Sequence, residues 1–142
     1  MIEFFMLAVG SSLMAYQDIK TKGYETFEPI AVLLAFLGFL NTVLSFNILH
    51  IVVLCLTAIV SSFLYSKNYW GSSDTWLAIA CVGLLPFISA VLFPFALMLG
   101  SMIFMMPFIY KKLKAKKHIN LWEEVPFIPA FPIAIMLLWV IV

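Results

Sequence analysis

The sequence predicts an all-α fold, a polytopic bundle of six short transmembrane helices that forms a single domain over residues 1–142. Of the 142 residues, 65% are hydrophobic and 11% are charged. Soluble domains are usually about half apolar, so the excess apolar surface is expected to face lipid. Two further observations, the length of the uncharged stretches and the placement of the lysines, predict the number of helices and their orientation.

Four stretches of the chain contain no Asp, Glu, Lys or Arg, and they are Phe4–Gln17, Pro29–Ser66, Thr75–Tyr110 and Val125–Val142. A helix needs roughly 17–25 residues to cross a hydrocarbon core of about 30 Å. The first and last stretches fit one crossing each, although the first is short at 14 residues. The second and third, with 38 and 36 residues, suit two crossings each. The polar run Asn41–Asn47 predicts the turn in the second stretch. Pro86 and Pro94 are predicted to bracket the turn in the third, because proline ends or kinks helices.

The positive charges predict the orientation. The chain has no arginine, and its eight lysines are Lys20, Lys22, Lys67, Lys111, Lys112, Lys114, Lys116 and Lys117. With six helices, every lysine falls on one side of the bilayer, which the positive-inside rule makes cytoplasmic, so both termini are predicted to lie outside. Four or five helices would place some lysines outside. The basic loop Lys111–Lys117 is interpreted as an anchor to anionic lipid headgroups, and no nucleic-acid partner is expected.

No metal or cofactor is expected from the cysteines and histidines. Cys55 and Cys81 lie inside apolar runs and are predicted to be small buried hydrophobic residues. His50 is predicted at an outer turn and His118 in the basic loop, and neither has a partner with which to bind a metal ion.

Two acidic residues, Asp18 and Asp74, are predicted at the cytoplasmic ends of helices that could pack side by side. Each has a structural explanation, since Asp18 could pair with a nearby lysine and Asp74 could be an N-cap or first-turn acid. As a pair they suit hydrolysis. Two carboxylates held close together cannot easily both ionise, so one keeps a proton. The ionised one can then take a proton from water while the other protonates a carbonyl or a leaving amine, as an aspartic protease requires.

Three motifs resemble those of the type IV prepilin peptidases, which are membrane aspartic proteases of the Gly-x-Gly-Asp type. The run Asp-Ile-Lys-Thr from position 18 resembles their first motif, and the run Gly-Ser-Ser-Asp from position 71 resembles their second. The run Val-Pro-Phe-Ile-Pro-Ala-Phe, residues 125–131, resembles the Pro-Phe-x-Pro element that opens their final helix. All three occur in the family's order and span nearly the whole chain. The residues that carry the resemblance are Asp18, Lys20, Thr21, Gly71, Ser73, Asp74, Pro126 and Phe127.

Ser73 departs from the family pattern, because the second motif usually has glycine there, which allows a positive φ or a close backbone approach. The archaeal preflagellin and prepilin peptidases, whose motif is a looser Gly-x-x-Asp, resemble the chain more closely, which points to an archaeal cell membrane. Small bacterial Flp-type pilus peptidases remain an alternative. Bifunctional bacterial members carry a four-cysteine zinc segment that this chain lacks, so the resemblance implies a peptidase without N-methyltransferase activity.

The resemblance implies an aspartic endopeptidase that removes class III signal peptides from type IV pilin-like or archaellin precursors on the cytoplasmic side. Asp18 and Asp74 would then be the catalytic pair. One alternative is a non-enzymatic membrane protein, such as a carrier subunit or assembly scaffold, and another is an inactive relative with the peptidase fold. An ion path would place ionisable groups at mid-membrane depth, whereas the predicted helix interiors hold only small polar residues.

Overall fold

The computed structural model describes residues 2–21, 28–114 and 128–141, and in these residues all regular secondary structure is helical. This confirms the all-α prediction for the described part of the chain. Its helices are α1 (Ile2–Thr21), α2 (Glu28–Leu44), α3 (Ile48–Ser66), α4 (Ser72–Leu84), α5 (Phe87–Lys114) and α6 (Ala130–Ile141).

The turn between α2 and α3 lies where the polar run predicts it. α2 ends at Leu44 and α3 begins at Ile48, so the break falls inside Asn41–Asn47. Asn47 caps α3, since its side-chain oxygen accepts a hydrogen bond from the backbone N–H of His50 at 3.2 Å. The cap satisfies one of the amide groups that a helix leaves unpaired at its start.

The next turn is displaced from its predicted position. α5 begins at Phe87, directly after Pro86, and then continues for 28 residues through Pro94 and Pro107. The prediction that Pro94 borders this turn is therefore wrong. A proline inside a helix removes one backbone hydrogen bond and can bend the helix without ending it.

The central helix of the bundle is α4. It contacts α1, α2, α3 and α5, and ten of its 13 residues are buried. It lies closest to α2, where a Cβ atom built on Gly83 would be 2.6 Å from the carbonyl carbon of Gly38. Small residues at a crossing allow this kind of backbone approach. Cys81 on α4 is buried as predicted, whereas Cys55 on α3 is exposed and that prediction is wrong.

Two helices are long and apolar enough to cross a membrane, judged by length and composition. An 18-residue window of Ile48–Ser66 has a mean hydropathy of 2.3, and 17% of that window is buried. The corresponding values for Phe87–Lys111 are 2.2 and 33%. α2 and α6 are also apolar but have only 17 and 12 residues. The described ranges thus contain two candidate spans, and the six predicted crossings are not confirmed.

Helix directions define the two ends of the bundle. α3 leads into α4 through only five residues, 67–71, so the end of α3 lies beside the start of α4. α2 leads into α3 through only three residues, 45–47, so α2 is antiparallel to α3 and runs parallel to α4. We call the end that contains the start of α4 the Asp74 end. The opposite end, where α4 leads into α5, is called the Pro86 end.

Candidate active site

Asp74 lies in the first turn of α4 and is held there by the backbone. Gly71 is the N-cap residue with an extended conformation, and its N–H donates to Asp74 Oδ2 at 2.9 Å. An acidic side chain at the third helical position can reach back in this way, and the helix dipole favours its negative charge. The residue is buried, with 7% of its surface exposed. The geometry agrees with the first-turn explanation and leaves a carboxyl group inside the bundle.

Other polar side chains are buried around Asp74. Thr75 donates to the carbonyl of Gly71 at 3.3 Å and lies 3.4 Å from the carbonyl of Ser61 on α3. Ser61 in turn donates to an α3 carbonyl at 2.7 Å. Ser73 differs from both, because its buried hydroxyl has no hydrogen-bond partner in the part of the chain that the structure describes. The start of α4 therefore carries a cluster of buried polar side chains.

The backbone at Ser73 does not need glycine. Ser73 is the second residue of α4, and the non-glycine residues with positive φ in the described ranges are Phe46 and Asn68. Position 73 therefore has a helical backbone that any residue can adopt. Serine differs from glycine here only in carrying a buried side chain.

Asp18 lies in the last turn of α1, and its side chain is outside the described part of the structure. Its position continues the helix face of Leu7, Ser11 and Met14, because the spacings are four, three and four residues. These three residues are buried, and α1 contacts α6, α4 and α2. Position 18 is therefore on the face of α1 that packs into the bundle.

The two aspartates lie at similar depths along the bundle. α1 and α2 are joined by only six residues, 22–27, so they run antiparallel, and Gly10 of α1 lies against Leu34 of α2. At 1.5 Å per residue, the α1 aspartate is about 12 Å from Gly10 towards the Asp74 end, and the α4 aspartate is about 14 Å from Gly83 in the same direction. Gly83 packs on Gly38, which is about 6 Å beyond Leu34 towards the Pro86 end. The two Cα atoms thus agree in depth within about 5 Å.

The start of α6 lies at the same end. Trp70, just before α4, packs edge-on against Phe131, with 6.3 Å between the ring centroids. Ile128 and Phe131 are buried. Pro126 and Phe127 lie outside the described residues. The structure therefore describes the third motif only from Ile128 onward.

The basic part of the first motif faces outward. Lys20 is exposed, and its ammonium group lies 5.7 Å from the centroid of the Tyr16 ring. Thr21 is the last residue of α1, and its side chain is outside the described part. These residues therefore mark the edge of the bundle, next to the buried face that carries position 18.

A second buried polar cluster, at the Pro86 end, was not predicted. His50 is 4% exposed, and its Nε2 lies 2.8 Å from the carbonyl oxygen of Val82. Proline at position 86 has no N–H, so the Val82 carbonyl lacks the donor that a continuing helix would supply. The adjacent carbonyl of Gly83 accepts hydrogen bonds from two α2 side chains. In the sequence, Pro86 indicates that the Val82 carbonyl receives no backbone hydrogen bond from within the helix. It does not indicate which side chain bonds to this carbonyl instead.

An apolar cavity of about 390 Å³ lies between α1 and α6 towards the Pro86 end. The residues that line it are Ile2, Phe4, Phe5, Ala8, Ile135, Met136 and Trp139. The lining contains no group that could transfer a proton, so the cavity is unsuited to hydrolytic chemistry.

The described residues therefore combine a buried carboxyl group, the helix that carries a second aspartate and the start of α6 at one end of the bundle. A pair of carboxyl groups that shares a proton could activate water there. Comparisons of the chain with models of protein families, with curated proteins and with solved structures find no match.

Proposed function

We propose that the chain is a membrane aspartic endopeptidase that removes class III signal peptides from type IV pilin-like or archaellin precursors. The proposal rests on the depths of the two aspartates, which helix geometry puts within about 5 Å of each other, and on the burial of Asp74 at the start of α4. The contact of Trp70, just before the second motif, with Phe131 near the start of α6 adds support, since it brings the regions of the second and third motifs to the same end of the bundle. The proposed enzyme is archaeal and lacks N-methyltransferase activity.

The proposal includes a six-helix membrane topology with both termini outside. α3 and α5 are strongly apolar but only 17% and 33% buried, whereas the core helix of a soluble protein would be mostly buried. α4 has 13 residues, about 20 Å of helix, and is enclosed by its neighbours, so its short length does not expose polar backbone to lipid. Lys20, Lys67 and Lys111 lie at or near the ends of α1, α3 and α5, and all three helices run towards the Asp74 end. The positive-inside rule makes this the cytoplasmic end.

The chemistry needs one proton shared between two carboxyl groups. The ionised carboxylate takes a proton from water as the water oxygen attacks the scissile carbonyl carbon, and the other carboxyl gives its proton to the carbonyl oxygen. The resulting diol then collapses. The C–N bond breaks, the leaving amine takes the proton that came from water, and one diol hydroxyl returns a proton to the second carboxylate. One water molecule is consumed and the pair regains its starting state.

A non-enzymatic role is the second candidate, and the hydrogen bond from Gly71 to Asp74 favours it. An acidic residue that only caps a helix needs no catalytic partner. In this case Asp18 would be a boundary residue, and the chain would act as a carrier subunit, an assembly scaffold or an inactive peptidase relative.

Substitution of each aspartate by asparagine separates the two candidates. Asparagine has nearly the same shape, and its side-chain oxygen can still accept the Gly71 N–H, so Asp74→Asn keeps the cap and removes only the ionisable group. We expect Asp18→Asn and Asp74→Asn each to abolish processing of a co-expressed precursor with a basic class III leader, at unchanged expression. The measurement is the ratio of precursor to mature protein in membranes, read by immunoblot.

Glu3→Gln provides the matched control, because Glu3 lies at the opposite end of α1. This variant should process the precursor at the wild-type rate. Asp74→Glu is expected to fail as well, since one added methylene moves the carboxylate farther than such a site tolerates. If either asparagine variant processes the precursor at the wild-type rate, the two aspartates are not a catalytic pair, and Asp74 serves only as a helix cap.

A further inference from the structure

Ser73 has a buried hydroxyl for which the mechanism above gives no role. The residue is 1% exposed, and its Oγ has no hydrogen-bond partner among the described residues. A buried hydroxyl without a partner is unfavourable, and ordered water commonly completes sites of this kind. The Ser73 hydroxyl is therefore a suitable partner for a bound molecule that can form hydrogen bonds.

The place of Ser73 in its helix explains why no carbonyl accepts its hydroxyl. Serine and threonine inside a helix usually donate to a carbonyl three or four residues earlier. Thr42 and Ser61 do so here, at 2.9 and 2.7 Å. Ser73 is the second residue of α4, so no helical turn precedes it. The first amides of a helix also have no acceptor within the helix, which makes this end attractive to a water oxygen.

We propose that Ser73 is a positioning residue that holds the attacking water beside the catalytic pair. Its hydroxyl accepts one O–H of the water and the ionised carboxylate accepts the other, so an oxygen lone pair stays directed at the scissile carbonyl carbon. Ser73 is adjacent to Asp74 in the first turn of α4, and both residues are buried. Serine in place of glycine then adds a water ligand to the site. This inference rests on the proposed peptidase function.

Three variants of the full-length chain, purified in detergent and assayed on a precursor with a class III leader, test the role of Ser73. Ser73→Ala should lower kcat about tenfold to hundredfold, the loss expected for one hydrogen bond in a charged site, with little change in KM. Ser73→Gly should keep more activity than Ser73→Ala, because the vacated space admits a second water in place of the hydroxyl.

Ser89→Ala is the matched control. Ser89 is also fully buried without a hydrogen-bond partner in the described ranges, but it lies in the first turn of α5 at the Pro86 end. It should keep the wild-type kcat.

The outcomes separate the two proposals. If the wild type cleaves and Ser73→Ala matches Ser89→Ala in kcat, the role of Ser73 is overturned and the peptidase function stands. A rise in KM alone would also overturn it, since the hydroxyl would then contact substrate. A lower Tm for Ser73→Ala at unchanged kcat per folded molecule would make the hydroxyl structural. If the wild type cleaves no such precursor, the peptidase function fails and the water site fails with it.

Discussion

Asp74 and His50 are buried polar residues that complete opposite ends of α4. Asp74 accepts a hydrogen bond from the Gly71 N–H at the start of the helix, and His50 contacts the Val82 carbonyl near its end. Buried polar groups are tolerated when they are hydrogen-bonded, so both side chains help to fix α4 in the bundle. The first-turn role of Asp74 follows from local sequence. The role of His50 depends on how α3 packs against α4.

We predict that His50→Ala destabilises the fold by about 1–3 kcal/mol, because the Val82 carbonyl is left buried without a donor. Pro86→Ala restores a backbone N–H four residues after Val82. The cost of His50→Ala should therefore be smaller in the Pro86→Ala background, and thermal unfolding of all four proteins in detergent measures the difference. The ring contact between His50 and Phe87 is lost in both backgrounds and cancels. Equal costs in the two backgrounds would refute the compensation.

At the scale of helices, two glycine contacts set the positions that matter for the site. Gly83 packs on the backbone of Gly38, and Gly10 lies against the side chain of Leu34. The first contact relates the depth of α4 to that of α2 through their backbones, and the second relates the depth of α1 to that of α2 through a side chain. Together they bring the aspartates to similar depths, although the two residues are far apart in the sequence.

We predict that Gly83→Ala is much more damaging than Gly10→Ala. A Cβ atom on Gly83 would lie 2.6–2.8 Å from three backbone atoms of Gly38, which cannot move without displacing α2. Overpacking of this kind costs about 1–3 kcal/mol. A Cβ atom on Gly10 would meet only Leu34 Cδ1 at 2.8 Å, and that flexible side chain can rotate away. Tm values in detergent provide the comparison, and equal losses for the two variants would contradict the assigned packing.

For the whole molecule, the proposed six-helix topology assigns the two ends of the bundle to opposite sides of a membrane. The α2–α3 turn lies at the Pro86 end, and the α3–α4 connection lies at the Asp74 end. Residues 46 and 68 in these connections make a matched pair, because both have positive φ, at 51° and 58°. A substitution at either position therefore meets the same backbone constraint.

We predict that Phe46→Cys reacts with a membrane-impermeant maleimide added to intact cells, whereas Asn68→Cys reacts only after the membrane is permeabilised. Both substitutions are made in a chain whose own Cys55 and Cys81 are replaced by alanine, so that the label reports one position. Labelling of both positions from outside would rule out the six-helix topology. Labelling of position 68 alone from outside would show that the orientation is the opposite of the proposed one.

Local patterns predicted some features and failed at others for an identifiable reason. The polar run Asn41–Asn47 predicted a turn correctly, because polar side chains in an apolar stretch are a local signal. The proline pattern predicts that Pro94 borders a turn, yet α5 continues through it. Cys55 and Cys81 have similar apolar neighbours in the sequence, yet one is exposed and the other is buried. Local hydrophobicity does not tell which face of a helix meets its neighbours.

The sequence by itself determined the helical class, the apolar character and the clustering of lysines near the ends of alternate helices, since composition and charge placement are properties of the linear chain. The tertiary structure decided which polar groups are buried together. The burial of Asp74, the buried hydroxyl of Ser73 and the His50 contact all depend on how the neighbouring helices pack against α4. The backbone contact between Gly38 and Gly83 is one of these packing contacts. A contact between residues so distant in the chain leaves no periodic signal in the sequence.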